Sequence, residues 1–482
     1  MKSLVFAQII VAAFFALLTT PTVANEKDSK PNILFIFADD QCFETLGSLN
    51  NREIRTPNLD RLARRSTTFS RTYNMGSWSG AVCVASRTML NTGRFLWYAN
   101  EIYQKTEEER VAGRFWSEHM KQAGYRTYMT GKWHVRADAN KAFDVARHVR
   151  GGMPNQTPEG YNRPIEGEKD PWDPTDPRFG GFWKGGKHWS EVVGDNGIDF
   201  IDVASKRDEP FFMYLAFNAP HDPRQSPREY VSLYPQQLIE IPQNFLIEYP
   251  FKDSIGCGAN LRDEKLAPFP RSEFSVRVNR QEYYAIITHM DAQIGRILDA
   301  IDASGKADNT YIFFTADHGL AVGQHGLMGK QNMYDHSVRV PFMVAGPGVA
   351  KGQINENSIY LQDVMPTTLD LAGVEKPDHV QFQSLLPILR EGKESEYDAI
   401  YGAYLKVQRM VTWGDYKLIM YPEISQARLY NISRDPKEML DLAVSNAYFP
   451  TMKKLFAKFQ QLQKQMGDEL DVASKFEHLV TK

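Results

Sequence analysis

Asn32-Ile33-Leu34-Phe35-Ile36-Phe37-Ala38-Asp39-Asp40-Gln41 is an almost unbroken apolar run that ends on two adjacent carboxylates. A run with no polar alternation reads as a strand covered on both faces, as in a parallel sheet. Four more runs of this kind lie at residues 127–130, 211–217, 310–315 and 341–345. Helix-like segments separate them. Residues 58–69 follow Pro57, and residues 114–123 stop at Gly124. Residues 188–206 and 281–304 carry apolar positions at three- and four-residue spacing, the second stopping at Gly305. Strands alternating with helices predict an α/β layered fold around a mostly parallel sheet.

Polar motifs sit just past four of the strands: Asp39-Asp40, then Lys132-Trp133-His134, then His221, then Asp317-His318. In open α/β sheets the crevice beyond the carboxyl ends of the strands is where ligands bind. Separate segments therefore deliver their chemistry to one edge. Asp39 and Asp40, if buried unpaired, would repel each other, and a divalent cation resolves that; a solvated turn with Asp40 as a helix cap is the alternative. Adding Asp317 makes an oxygen-rich, anionic cage that suits Ca²⁺ or Mg²⁺ better than a soft metal.

The rest of the chain is organised around this frame. Residues 151–186 hold six prolines and eight glycines together with Trp172, Phe179, Phe182 and Trp183, which predicts a functional loop or insertion. A second irregular stretch covers about residues 222–279. Composition shifts after Gly373: residues 401–421 alternate like antiparallel strands with a turn at Gly414-Asp415, and residues 450–466 form a terminal amphipathic helix pattern. Residues 374–482 are therefore expected to be a smaller α+β subdomain with an antiparallel sheet, behind a larger domain at 25–373.

Lys2, the apolar stretch 4–18 and the small residues Val23-Ala24 predict a signal peptide, residues 1–24, and hence a secreted or periplasmic protein. The apolar stretch is short for a membrane anchor, and no stable membrane insertion is expected. With 56 basic and 59 acidic residues there is no basic field to suggest nucleic acid. The three cysteines, Cys42, Cys83 and Cys257, contain no Cys-x-x-Cys pair, which argues against structural zinc. A Cys42–Cys257 bridge is arithmetically open.

Cys83 follows Gly80-Ala81-Val82 and opens the run Cys83-Val84-Ala85-Ser86-Arg87, closing with Thr92-Gly93-Arg94. A lone cysteine on small residues is ordinarily a packing residue. This run resembles the signature of the type I sulfatases, in which the cysteine is oxidised to Cα-formylglycine. Asp39-Asp40-Gln41, Gly131-Lys132-Trp133-His134, Ala219-Pro220-His221 and Asp317-His318-Gly319 through Gly326 and Lys330 occur in that family's order and approximate spacing. Leu429-Tyr430-Asn431 with Asp435-Pro436 resembles its C-terminal subdomain, so the likeness runs from about residue 31 to 442. The resemblance implies an alkaline-phosphatase-like fold, one Ca²⁺ and a formylglycine-generating maturation enzyme as partner. It implies Asp39, Asp40, Asp317, His318 and modified Cys83 as metal ligands. It further implies Arg87 and Lys132 on the hydrated formylglycine, Lys132 and Lys330 on sulfate, His221 (shared with Lys330) as general acid, and His134 as base. The implied reaction is attack of the hydrate on sulfur, a sulfated enzyme, and sulfate elimination. Ala85 departs from the proline usual in many sulfatases, which leaves the maturation system open, and Asn91 stands where leucine is common.

A sulfated carbohydrate is the expected substrate, given the predicted export and the aromatic residues Trp172, Trp183 and Trp189, which could stack on sugars or simply pin the loop. Lys187, His188 and Arg224 are further candidates for sugar or sulfate contacts. Two rivals stand beside this expectation. One is a phosphodiesterase or phosphonate monoester hydrolase of the same superfamily, whose metal motif more often has one Asp before Gln. The other is a silent glycan-binding protein, against which stands the retention of every catalytic residue type.

Overall fold

The computed structural model describes residues 30–480 apart from Gln156. The expected signal peptide, residues 1–24, lies outside the described residues. Asn32–Ala38 is a strand with every residue buried. It is flanked in parallel by Phe211–Ala216 on one side and Thr310–Ala316 on the other. The nine-stranded sheet continues through Arg126–Lys132 to Val145–Arg150 at one end. At the other end Phe342–Ala345 pairs antiparallel with Thr310–Ala316 and Thr67–Tyr73, which also pairs with Arg339–Val340 and Gln353–Tyr360. The expected layered fold is thus present, with the apolar run at its centre: a strand buried on both faces needs apolar side chains on both.

Helices cover the sheet. Glu273–Ala303 is the longest, packed against Trp189–Ser205 and Pro57–Arg64. It begins well before residue 281, capped by the Ser272 side chain on the Ser275 amide. The helix expected over 58–69 ends at Arg64, and Thr67–Tyr73 is a strand. Its β-branched Thr67, Thr68 and Thr72 suit a pleated surface, and only residues 67–69 of the expected helix fall in the strand.

A second sheet has five strands. Ile400–Tyr404, Gln408–Trp413, Tyr416–Tyr421 and Gln426–Asn431 form an antiparallel meander, with Phe449–Gln465 against it. The fifth strand, Gly76–Ser77, comes from the other end of the sequence and pairs parallel with Ala403-Tyr404. Gly76 has φ +93°, and a Cβ there would lie 2.0 Å from the Ala403 oxygen, so the approach needs glycine. Residues 31–480 form one compact unit. No helix among the described residues is long and apolar enough to cross a membrane. Cys42 and Cys257 are free, buried thiols, so the bridge left open by the cysteine count is not formed.

Candidate active site

Six residues past the Gly76–Ser77 strand, Cys83 occupies the first turn of the helix Val82–Thr92. The helix N-terminus favours negative charge at this position. Arg87 follows one turn later on the same face. Its Nε donates to Asp317 Oδ2 at 3.0 Å and its Nη1 to the Lys132 carbonyl at 2.8 Å. Its guanidinium also lies 3.7 Å from Asp39 Oδ1 and packs over the Phe37 ring.

Three strand ends supply the groups around Cys83. Asp39 and Asp40 leave the central strand, Asp317-His318 leaves its direct neighbour Thr310–Ala316, and Lys132 ends Arg126–Lys132, two strands away on the other side of the central strand. Gly131 has φ +92°, and a Cβ there would sit 1.7 Å from the Ala216 oxygen; glycine alone lets the strand deliver Lys132. Lys132 Nζ pairs with Asp39 Oδ2. Asp40 and His134 both take left-handed backbone conformations, φ 69° and 54°. Such positions persist where surroundings over-determine them: the Asp40 amide donates to Asp317 Oδ1 at 3.1 Å, and Tyr283 Oη donates to the Asp40 carbonyl at 2.6 Å.

Asp39, Asp40, Cys83 and His318 bring one ligand atom each to within 4.8 Å of one another, all buried. Asp39 Oδ1 and Asp40 Oδ1 are buried acceptors without a hydrogen-bond partner. Burial, and then the Asp317 charge, push Asp39 well above the ordinary carboxylate range. Orphaned, mutually repelling carboxylate oxygens at one point are what a hard cation satisfies, so the residues present fit the implied Ca²⁺ or Mg²⁺. His318 Nε2 is 3.1 Å from Asp40 Oδ1 and 3.5 Å from Cys83 Sγ. Asp317 stands at the border of this group. Arg87 and the Asp40 amide hold its carboxylate, and Oδ1 is 3.6 Å from His318 Nε2.

The opposite wall is cationic. Lys330 Nζ lies 2.7 Å from Asp40 Oδ2 and 3.1 Å from His221 Nε2. His221 Nδ1 is 2.6 Å from the Asp222 carbonyl, which fixes the Nδ1–H tautomer and leaves Nε2 facing Lys330. Burial opposes ionisation of Cys83. Lys132 and Lys330 nonetheless hold it well below the usual thiol range, aided by hydrogen bonds with His134 and His221. An atom at this position is therefore stabilised as an anion. Burial keeps His134 below the ordinary imidazole range.

All of the expected site residues — Asp39, Asp40, Cys83, Arg87, Lys132, His134, His221, Asp317, His318 and Lys330 — thus meet in one place. The extra substrate candidates do not. Trp172 is buried and stacks on Phe179, and Trp189 belongs to the main core. Trp183 meets the His188 ring edge-on. Lys187 pairs with Asp195, and buried His188 caps Trp189–Ser205 by accepting from the Ser190 amide. Arg224 is buried and donates to Asn279. Packing accounts for the aromatic residues and His188, whereas Lys187 sits in a surface ion pair and Arg224 Nε and Nη1 are buried without a hydrogen-bond partner. Conversely, Tyr283 and Asn74 position the site without carrying a motif, and Ser86 does so from a variable place within the Cys83–Arg87 run; Asn74 and Ser86 hold the Asp317 carbonyl. Asp222 beside the His221 motif was within reach of the sequence. Asp263, 3.5 Å from Lys330, lies in an irregular stretch with no pattern to mark it.

The sulfatase family model matches residues 31–374. The chain belongs to the sulfatase family. As such it is a sulfuric ester hydrolase, and its central sheet, antiparallel second sheet and strand-end site are those expected of the alkaline-phosphatase-like fold. The model for the C-terminal region of N-sulphoglucosamine sulphohydrolase matches residues 323–465. The chain is similar to an N-acetylglucosamine-6-O-sulfatase of Bacteroides thetaiotaomicron, 24% identical over 97% of this chain and 92% of the relative. It is 28% identical to an arylsulfatase of Clostridium perfringens over 87% and 91% of the two chains. A solved structure described as a complex with its substrate D-glucosamine-2-N,6-O-disulfate superimposes with TM-score 0.71, 23% identity, and coverage of 92% and 99%.

Proposed function

We propose that this sulfatase hydrolyses sulfate esters of a sulfated carbohydrate, with Cys83 converted to formylglycine and one Ca²⁺ held by Asp39, Asp40, His318, residue 83 and Asp317. The observation that carries the reading is the surroundings of Cys83: Lys132, Lys330, His134, His221 and His318 converge on a buried atom held as an anion, beside two orphaned carboxylate oxygens. The carbohydrate class rests on the relatives, whose names include an N-acetylglucosamine sulfatase and an ulvan-active sulfatase. The metal and the hydrated aldehyde together supply a nucleophilic oxygen of lowered pKa.

The chain's own groups do the rest. Lys132 and Lys330 bind and neutralise sulfate oxygens as charge builds. Arg87 and Lys132 orient residue 83 against the carboxylates. Lys330 Nζ and His221 Nε2, 3.1 Å apart, share the proton delivered to the leaving alcohol oxygen. His134, kept neutral at neutral pH by burial, accepts a proton from residue 83 at its ring nitrogen. The same reading makes residues 1–24 a cleaved signal peptide, places the protein outside the cytoplasm, requires a formylglycine-generating enzyme, and divides the chain at residue 373 into catalytic domain and C-terminal subdomain. The test is a panel of defined sulfated saccharides offered to protein made in a maturation-competent host, with peptide mass spectrometry of residue 83 and elemental analysis. Saccharide turnover, formylglycine at 83 and one calcium are expected. Full activity with an unmodified thiol or after proven metal removal would sink it.

A further inference from the structure

The two irregular stretches, 151–186 and 222–279, meet at an open cleft of about 450 Å³ lined by Pro158, Tyr161, Asn162, Asn260, Arg262 and Lys265. The Asn162 amide donates to the Lys265 carbonyl at 2.5 Å and ties the two loops together. Buried Arg163, paired with Asp170 and with Glu282 at 2.9 Å, anchors the first loop to the long helix. The cleft is therefore a built surface.

It also adjoins the site on one particular side. Arg262 Nε donates to Asp263 Oδ1 at 2.7 Å, and Nη1 lies 3.6 Å from Asp222 Oδ2. Those two carboxylates are the ones beside the proton-delivering pair: Asp263 is 3.5 Å from Lys330, and Asp222 is 3.3 Å from His221 Nδ1. Both are buried, whereas the Arg262 side chain keeps 34% of its surface exposed. The acids fix Arg262 from behind and do not line the cleft. Lys265 is half-buried there and makes no ion pair among the described residues. The lining thus offers two cations, two side-chain amides and a phenol, with no carboxylate.

Resting on the sulfatase reading, we propose that this cleft receives the sugar on the alcohol side of the scissile ester, and that Lys265 with Arg262 selects a second oxyanion there, a sulfate or a carboxylate. Amides and a phenol suit sugar hydroxyls, and a half-buried ammonium rewards an anion beyond what a hydroxyl gives.

Calorimetry on full-length Cys83→Ala protein tests this with three disaccharides matched in backbone: one singly sulfated, one doubly sulfated, and one carrying one sulfate and one carboxylate. The doubly charged ligands should bind at least about tenfold more tightly, and Lys265→Gln should cut that ratio to near one. The two doubly charged ligands separate sulfate from carboxylate as the preferred group. Asn260→Ala should weaken all three alike. An equal affinity for singly and doubly charged ligands, a ratio untouched by Lys265→Gln, or no binding of any of them overturns the proposal. The underlying sulfatase reading is scored apart, by turnover of an aryl sulfate by wild-type protein carrying formylglycine. Failure there removes the reading, and turnover there with an unaltered ratio removes the cleft alone.

Discussion

Two of the buried charge clusters among the described residues are built oppositely. Around Cys83, Asp39 Oδ1, Asp40 Oδ1, Arg87 Nη2 and His134 Nδ1 have no hydrogen-bond partner. Where the second sheet meets the first, Lys417 Nζ donates to Asp335, to Glu438 at 2.7 Å and to the Met333 carbonyl at 3.2 Å. Glu438 Oε2 in turn accepts from the Asp335 amide at 2.7 Å, and Asp335 also meets Arg339. No side-chain atom of Lys417, Asp335 or Glu438 is orphaned. An ammonium has three donors, and here all three are used. Unmet polar atoms that share one cavity are held ready for ligands; a cluster that closes on itself is held for the fold. The contrast separates chemistry from architecture without recourse to motif.

The largest effect that contrast predicts is at Cys83. Cys83→Ala should lower turnover by on the order of 10⁶-fold, the scale of nucleophile loss, while the denaturation midpoint barely moves; a large loss of stability would show Cys83 to be a packing residue. Next comes the proton pair. His221→Ala should slow hydrolysis of sugar sulfates by about 10²–10⁴-fold but that of activated aryl sulfates far less, because a good leaving group needs little protonation. Equal losses on both substrates would remove His221 from that role.

The closed cluster should answer in stability. Lys417→Met leaves two buried carboxylates facing each other and should cost about 3–5 kcal/mol in chemical denaturation, with activity per folded molecule retained. Loss of activity without loss of stability would break the comparison. The smallest effect concerns pH. Burial pushes Glu438 up to about 7 from 4.5, with the Asp335 charge adding to it against Lys417. The folded protein therefore holds this proton more tightly than the unfolded chain. The stability it contributes is complete below about 4.5 and lost as pH rises through about 7. Glu438→Gln should flatten the fall in stability across that window, measured by denaturation at stepped pH; an unchanged slope would assign the fall to other groups.

Much of this was legible along the chain. The five apolar runs became five strands because residues buried on both faces leave little choice of pattern. The motifs at their ends became the site because strand ends in such sheets open onto one crevice. What misled was local. The first three residues of the strand Thr67–Tyr73 fall within the helix expected over 58–69, since the single apolar Phe69 fits either period. Trp172, Trp189 and His188 advertised recognition but fill a core and cap a helix.

The sequence by itself determined the fold class and the groups at the strand ends, because burial pattern and side-chain chemistry are properties of the chain; the place of Cys83, Arg87 and Lys330 among them was implied by the resemblance to the sulfatases. Only the tertiary structure decided what holds those groups in place. Gly76–Ser77 pairs with Ala403-Tyr404 across the chain, Tyr283 reaches Asp40 from the long helix, and Asp222 and Asp263 join His221 and Lys330 to Arg262. Apart from the adjacent pairs His221–Asp222 and Arg262–Asp263, each is a contact between segments far apart in sequence. No local period or spacing encodes such a contact; it exists only once the sheets and loops have packed.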